Sequence, residues 1–229
     1  MSAADSLRPE TILLTARAVV RREAQALSAL SEQLDQSFVM VVDAVLSTPG
    51  KVITTGAGTS GIMAERLAHL LSVSGTPAFY LPCLDALHGG MGSVSPTDLV
   101  IAFSKGGRSS ELVQLVRRLV ERQVFVVAVT EAPGSEFATA ASLVAAIKTE
   151  PGEADLGSLI ATGSTLVAGA WGDALAAVLM SMRDYSWSEV VSTHPGGTVG
   201  EQTELPSSHA VTVEHEAGPS ARSAPVVLP

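Results

Sequence analysis

A chain of 229 residues with 46% hydrophobic and only 4% aromatic side chains can build one sizeable domain around an aliphatic core, burying roughly 70% of its unfolded surface. Its formal net charge of −9 argues against nucleic acid or an anionic membrane as the main partner, so an anionic ligand has to be held locally, by loops and helix ends. Cys83 is the only cysteine, which excludes an intramolecular disulfide and a cysteine metal cluster and fits a reducing cytoplasm.

The first eight residues lack the apolar core of a signal peptide, and no uninterrupted apolar run approaches 18 residues, so no membrane span is expected. From about Pro9 to Ser47, apolar residues recur at helical spacing (Ile12, Leu13, Ala16, Val19, Val20, then Leu27, Leu30, Leu34, Phe38 and Val42), which predicts one or two long helices. Val52–Thr55 is the first strand, and residues 61–74 form a helix with Met63, Leu67, Leu70 and Leu71 on its buried face. Pro77–Leu81 is the second strand. Asp85 to Gly92 is glycine-rich and reads as a loop. Leu99–Phe103, Val124–Val129 and Leu143–Ile147 are further strands, separated by helices over 109–122 and 135–141. Alternating strands and helices predict an α/β fold, a parallel sheet with helices on both faces.

After an acidic turn at Glu150–Asp155, a long helix is expected from Ser158 to about Met182. Its Gly163, Gly169 and Gly172 each cost about 1 kcal/mol against alanine in a helix, and close packing of another helix would offset that. A short helix over 186–191 leads to His194-Pro195-Gly196-Gly197, and the stretch from Glu201 to Pro229 reads as a flexible tail. The organisation is thus a helical segment over 1–48, a domain over 49–200 and a tail over 201–229.

Two strand-to-helix loops carry the chemistry. Gly56-Ala57-Gly58-Thr59-Ser60-Gly61 follows the first strand, and glycine there lets a ligand approach the main chain while the next helix offers its free N–H groups. Ser104-Lys105-Gly106-Gly107-Arg108-Ser109-Ser110-Glu111 follows the third. Together they place Gly58, Thr59, Ser60, Ser104, Lys105, Arg108, Ser109 and Ser110 at the carboxyl edge of the sheet, where open α/β folds bind ligands. Three serines and two cations suit a phosphomonoester better than a dinucleotide. Helix-capping serines on a solvated turn explain one of the three.

These loops, with Ala86-Leu87-His88-Gly89, Gly172-Asp173-Ala174-Leu175-Ala176 and His194-Pro195-Gly196-Gly197, fall in the order and spacing of sugar isomerase (SIS) domains. Over residues 35 to 200 the chain most resembles the arabinose-5-phosphate isomerase branch. That resemblance implies a three-layer sandwich with a five-stranded parallel sheet, a cytoplasmic homotetramer, no metal or other cofactor, and the stand-alone form without the paired CBS domains many members carry. It implies interconversion of ribulose 5-phosphate and arabinose 5-phosphate through a cis-enediol. By position it makes Glu153, Glu111, His194 and His88 the catalytic candidates, with Glu153 the carbon base and His194 serving ring opening or hydroxyl protons. Glu111 also suits the first turn of a helix dipole, and Glu153 a solvated turn. Where the family commonly has a lysine in the first loop this chain has Thr59; in the second loop a serine is replaced by Gly106 and a glutamate by Arg108. Lys105 or Arg108 could supply the missing charge, or the substrate could be another sugar phosphate. A sugar-phosphate sensor would need the serine loops but not Glu111, Glu153 and His194 together.

Overall fold

The computed structural model describes residues 8–208; the expected tail falls outside the described residues from position 209 onward. Helices α1 (Pro9–Ser31) and α2 (Gln36–Ser47) come first. Asp35 separates them by capping α2, its carboxylate accepting from the N–H (2.8 Å) and hydroxyl (2.6 Å) of Ser37. Then β1 (Val52–Gly56), α3 (Thr59–Val73), β2 (Ala78–Tyr80), α4 (Cys83–Leu87), β3 (Leu99–Phe103), α5 (Ser110–Glu121), β4 (Phe125–Thr130), α6 (Glu136–Ala140), β5 (Leu143–Ala146), α7 (Gly163–Met182) and α8 (Trp187–Ser192) follow.

The sheet has five strands in the order β2-β1-β3-β4-β5, all parallel, with Val52 opposite Leu99 and Gly56 opposite Phe103. Side chains alternate faces along each strand. Val52, Leu99, Ile101, Phe103, Val127 and Val129 pack under α1, α2, α3 and α7. Ile53, Val100, Ala102, Val126 and Ala128 pack under α4, α5 and α6. Both faces are covered, so the central strands read as continuous aliphatic runs. The arrangement is the expected three-layer α/β sandwich. Because α3 and α5 leave adjacent strands β1 and β3 for opposite faces, the loops between them diverge and open a crevice at the carboxyl edge.

At the opposite edge, Asp98 ties the start of β3 to the start of β1. Its carboxylate accepts from the Lys51 N–H (3.0 Å), the Lys51 ammonium (3.0 Å), and the Ser95 N–H (2.7 Å) and hydroxyl (2.9 Å). Burial alone would raise the Asp98 pKa; the N–H groups of Lys51 and Ser95, then their side chains, outweigh it and bring it down to about 2.

Three segments differ from expectation. Residues 85–92, read as loop, fall largely within α4 (Cys83–Leu87) and a 3-10 turn over Gly90–Ser93; α4 buries Cys83 and Ala86 against α5. The acidic turn holds a 3-10 turn over Gly152–Ala154. The long helix begins at Gly163, not Ser158, because Gly157 and Ser158 have positive φ (61° and 56°) and Leu156 bridges Ile160. Two of the three helix glycines, Gly163 and Gly172, find close packing within the chain, while Gly169 leaves room for ordinary contact. A Cβ at Gly172 would lie 3.2 Å from Leu67 of α3, one at Gly169 would lie 3.7 Å from Arg66, and one at Gly163 would overlap Ala154. By length and composition α7 could cross a membrane (20 residues, mean hydropathy 1.4); here Val167, Trp171, Leu175 and Leu179 cover the sheet, and Asp173 pairs with Arg66 (2.5 Å).

On α1 only Ala26 and Leu30 are buried. Ile12, Leu13, Leu14 and Val20 are more than half exposed, so the periodicity of its first turns is not spent on this chain's own core.

Candidate active site

The crevice at the carboxyl edge is a narrow cavity of about 50 Å³. Its walls come from five places in the chain: Thr59, Ser60 and Met63 of α3, Phe103, Ser104 and Lys105 at the end of β3, Thr130 and Glu131 at the end of β4, Ile147 after β5, and Ser164 and Thr165 at the head of α7. Phe103 forms part of this wall and is braced from behind by Trp171, which in turn meets Phe38; both ring pairs are edge-on with centroids 5.9 Å apart.

The first loop is shaped to bring the main chain close. A Cβ at Gly56 would stand 2.8 Å from the Ser60 carbonyl, and Gly58 opens α3 with φ 57° and no side-chain cap. Side chains stiff at Cβ would be strained there. Side chains cap α2 (Asp35), α6 (Ser135) and α8 (Ser186), whereas α1 and α4 have no side-chain cap. At the carboxyl edge α3 and α5 likewise open with no side-chain cap, although Ser109 occupies the cap position of α5. The leading N–H groups of both helices are therefore left for something else. Among the described residues the hydroxyls of Thr59, Ser60, Ser104 and Ser109 make no hydrogen bond. Capping does not account for these serines.

Among the described residues Lys105 is the only cation and Glu131 the only carboxylate on the cavity wall. The Lys105 ammonium pairs with Asp155, whose side chain is 2% exposed. Burial raises the Asp155 pKa, and the Lys105 ammonium and the N–H and hydroxyl of Ser164 more than reverse this, leaving it below the ordinary carboxylate range. Glu131 is held by the N–H of Thr149 (3.1 Å) and its hydroxyl. Sequence reasoning singles out neither Asp155 nor Glu131, since both look like turn charges. The only local hint is Ser-Thr at Ser164-Thr165 heading a helix after an acidic residue.

The other sequence candidates sit elsewhere. Arg108 and Ser110 line a separate, broad groove of about 940 Å³ between α5 and α6, with Arg117 and Arg118. Glu111 is an exposed first-turn carboxylate on α5, and its charge helps burial raise the Cys83 thiol to about 11. Glu153 is exposed in the 3-10 turn, two residues before Asp155. His88 lies at the end of α4. His194 lies after α8 with its Nδ1 2.6 Å from the Val190 carbonyl. None of these four lines the cavity, so within one chain the structure gathers Thr59, Ser60, Ser104 and Lys105 but not the proposed acid–base groups. Among the described residues no cluster of three or more His, Cys, Asp and Glu is arranged to hold a metal ion.

Residues 45–177 match the model of the SIS domain. Arabinose 5-phosphate isomerase KdsD of Shigella flexneri is 33% identical over 184 residues, 80% of this chain and 56% of that protein, so the chain spans about half the length of the curated relatives it matches. A Listeria monocytogenes structure described as a candidate sugar-phosphate isomerase superposes with a TM-score of 0.79 at 31% identity, covering 83% of this chain and 100% of that one. An Escherichia coli CFT073 protein in complex with arabinose 5-phosphate gives 0.78 at 26% identity, covering 82% and 100%.

Proposed function

The chain belongs to the SIS-domain family, and on that premise we propose that it is a sugar-phosphate aldose–ketose isomerase, interconverting ribulose 5-phosphate and arabinose 5-phosphate. The observation that carries this reading is the cavity of unspent hydroxyls from Thr59, Ser60 and Ser104 at the start of α3, which lacks a side-chain cap, with Lys105 as its cation. Hydroxyl donors, free N–H groups and one positive charge are what a phosphate monoester requires. Similarity to an arabinose 5-phosphate isomerase over 80% of the chain supports the sugar.

In this reading the phosphate sits among Ser60, Ser104, Lys105 and Ser109, and the carbon chain points away from the cavity. A carboxylate takes the proton from the carbon next to the carbonyl and returns it to the neighbouring carbon, through a cis-enediol. Glu153 is assigned that role, Glu111 a positioning or second acid–base role, and His194 and His88 the hydroxyl protons and ring opening. All four lie outside the cavity of one chain, which fits a cytoplasmic homotetramer in which His194 reaches a neighbour's site. The exposed apolar side of α1 supports such an assembly.

The test is proton exchange. The protein is incubated in heavy water with a panel of aldose and ketose phosphates, and deuterium at the carbon next to the carbonyl is followed by NMR. Exchange confined to the pentose 5-phosphates is expected. No exchange with any of them would overturn the reading, and exchange confined to hexulose or heptulose phosphates would reassign the substrate.

A further inference from the structure

Asp155 has no part in the roles assigned above, yet every acceptor position of its carboxylate is taken. Oδ1 accepts from the N–H groups of Thr162 (3.0 Å) and Ser164 (2.8 Å), and Oδ2 accepts from the Ser164 hydroxyl (2.8 Å) and the Lys105 ammonium. Asp155 thus does at the head of α7 what a bound anion would do there, so that helix start is closed to a substrate phosphate. A carboxylate this deeply buried is costly without a cation, and Lys105 is the one it has.

Lys105 is held from both ends. Its carbonyl accepts from the Thr130 hydroxyl (3.0 Å) and the Glu131 N–H (3.0 Å), which fixes its backbone to the end of β4. Its ammonium is fixed by Asp155. An ammonium carries three donors, and Asp155 takes one of them. The side chain remains 39% exposed on the cavity wall, beside hydroxyls that make no hydrogen bond of their own. Glu131, the opposing charge on that wall, has one oxygen engaged by Thr149.

Resting on the phosphate-binding part of the proposed function, we infer that Asp155 is a positioning residue: it orders Lys105 in advance so that the ammonium meets the phosphate monoester of the substrate. A lysine already ordered loses less freedom on binding than a free one, which favours affinity. Asp155 itself touches no ligand.

The experiment is a double-mutant cycle on the full chain, with inorganic phosphate and arabinose 5-phosphate titrated by calorimetry and steady-state kinetics run in parallel. Lys105→Met is expected to weaken phosphate binding tenfold or more. Asp155→Asn keeps an acceptor for the α7 N–H groups but loses the ion pair, and should weaken binding severalfold, raising KM far more than it lowers kcat. With Lys105→Met already present, Asp155→Asn should add nothing. Phosphate affinity unchanged in Lys105→Met would overturn the inference. So would an Asp155→Asn loss of equal size with and without Lys105, the signature of a purely structural part. If Asp155→Asn does not fold, Asp155→Glu, which displaces the charge by one methylene, takes its place with the same expectations. Phosphate binding is read independently of turnover. An intact cycle without proton exchange sinks the isomerase reading alone, and exchange without coupling sinks this inference alone.

Discussion

Removing the charge of Asp98 should cost the protein stability in a way that depends on pH with a definite sign. The unfolded chain holds this carboxyl at 3.8 and the folded one at about 2. A folded pKa below the unfolded one stabilises above the unfolded value and is lost as pH falls through the folded value. At 1.36 kcal/mol per pKa unit the difference is about 2 kcal/mol at neutral pH, falling to about half of that by pH 3. The near-complete burial of the carboxylate (side chain 2% exposed) is the reason the figure is not discounted for solvent. Asp98→Asn keeps the shape and loses the charge. At pH 7 it should lower the unfolding free energy by about 2 kcal/mol, or Tm by roughly 4–8 °C for a chain this size. The assay is urea denaturation of both proteins at pH 7, 5, 4 and 3, followed by far-UV circular dichroism. A gap under half a kcal/mol at pH 7 would refute the reasoning, as would a gap that stays constant down to pH 3.

Three further outcomes are expected. Glu153→Gln should abolish exchange of the substrate's carbon-bound proton with heavy water while leaving calorimetric binding nearly intact; exchange at the wild-type rate would pass the role to Glu111 or His194. Ser104→Ala and Ser109→Ala should each raise KM for the phosphorylated sugar with a smaller change in kcat, and an unchanged KM would remove both from the phosphate cradle. Trp171→Ala, at a position 1% exposed between Phe38 and Phe103, should destabilise by about 3–5 kcal/mol; a loss below 1 kcal/mol in urea titration would mean that the layer beneath the cavity wall repacks.

The strands are legible because each is a short aliphatic run bounded by turn residues, as in Leu99–Phe103 before Ser104 and Phe125–Thr130 before Ala132-Pro133-Gly134. The two site loops are legible because glycine and serine follow those runs directly. What the pattern does not carry is pairing at a distance. Lys105 and Asp155 are fifty residues apart, and Glu131 meets Thr149 across the ends of β4 and β5. No periodicity records such contacts. The start of α7 is hidden for a related reason: Leu156, Leu159 and Ile160 look like helical apolar positions, while the left-handed backbone at Gly157 and Ser158 that breaks the helix is a tertiary outcome. The destination of the α1 surface is equally hidden, because an apolar stripe reads the same whether it faces its own core or not.

The close marriage of α3 to α7 has a mechanical consequence. Each helix opens onto the cavity, one with Thr59 and Ser60, the other with Ser164 and Thr165. Between them Gly172 lets Leu67 nest against the backbone, and Arg66 clasps Asp173 (2.5 Å) while donating to the Gly169 carbonyl (3.3 Å). Helices seated this tightly slide past one another only through steric overlap, so they form a stiff plate on one side of the crevice. Breathing that admits a ligand is then borne by the opposite lip beyond the tethered Ser104 and Lys105, at Gly106, which is exposed and where a Cβ would touch nothing. Amide exchange should register that asymmetry as slow hydrogens along α3 and α7 and a fast one at Gly106.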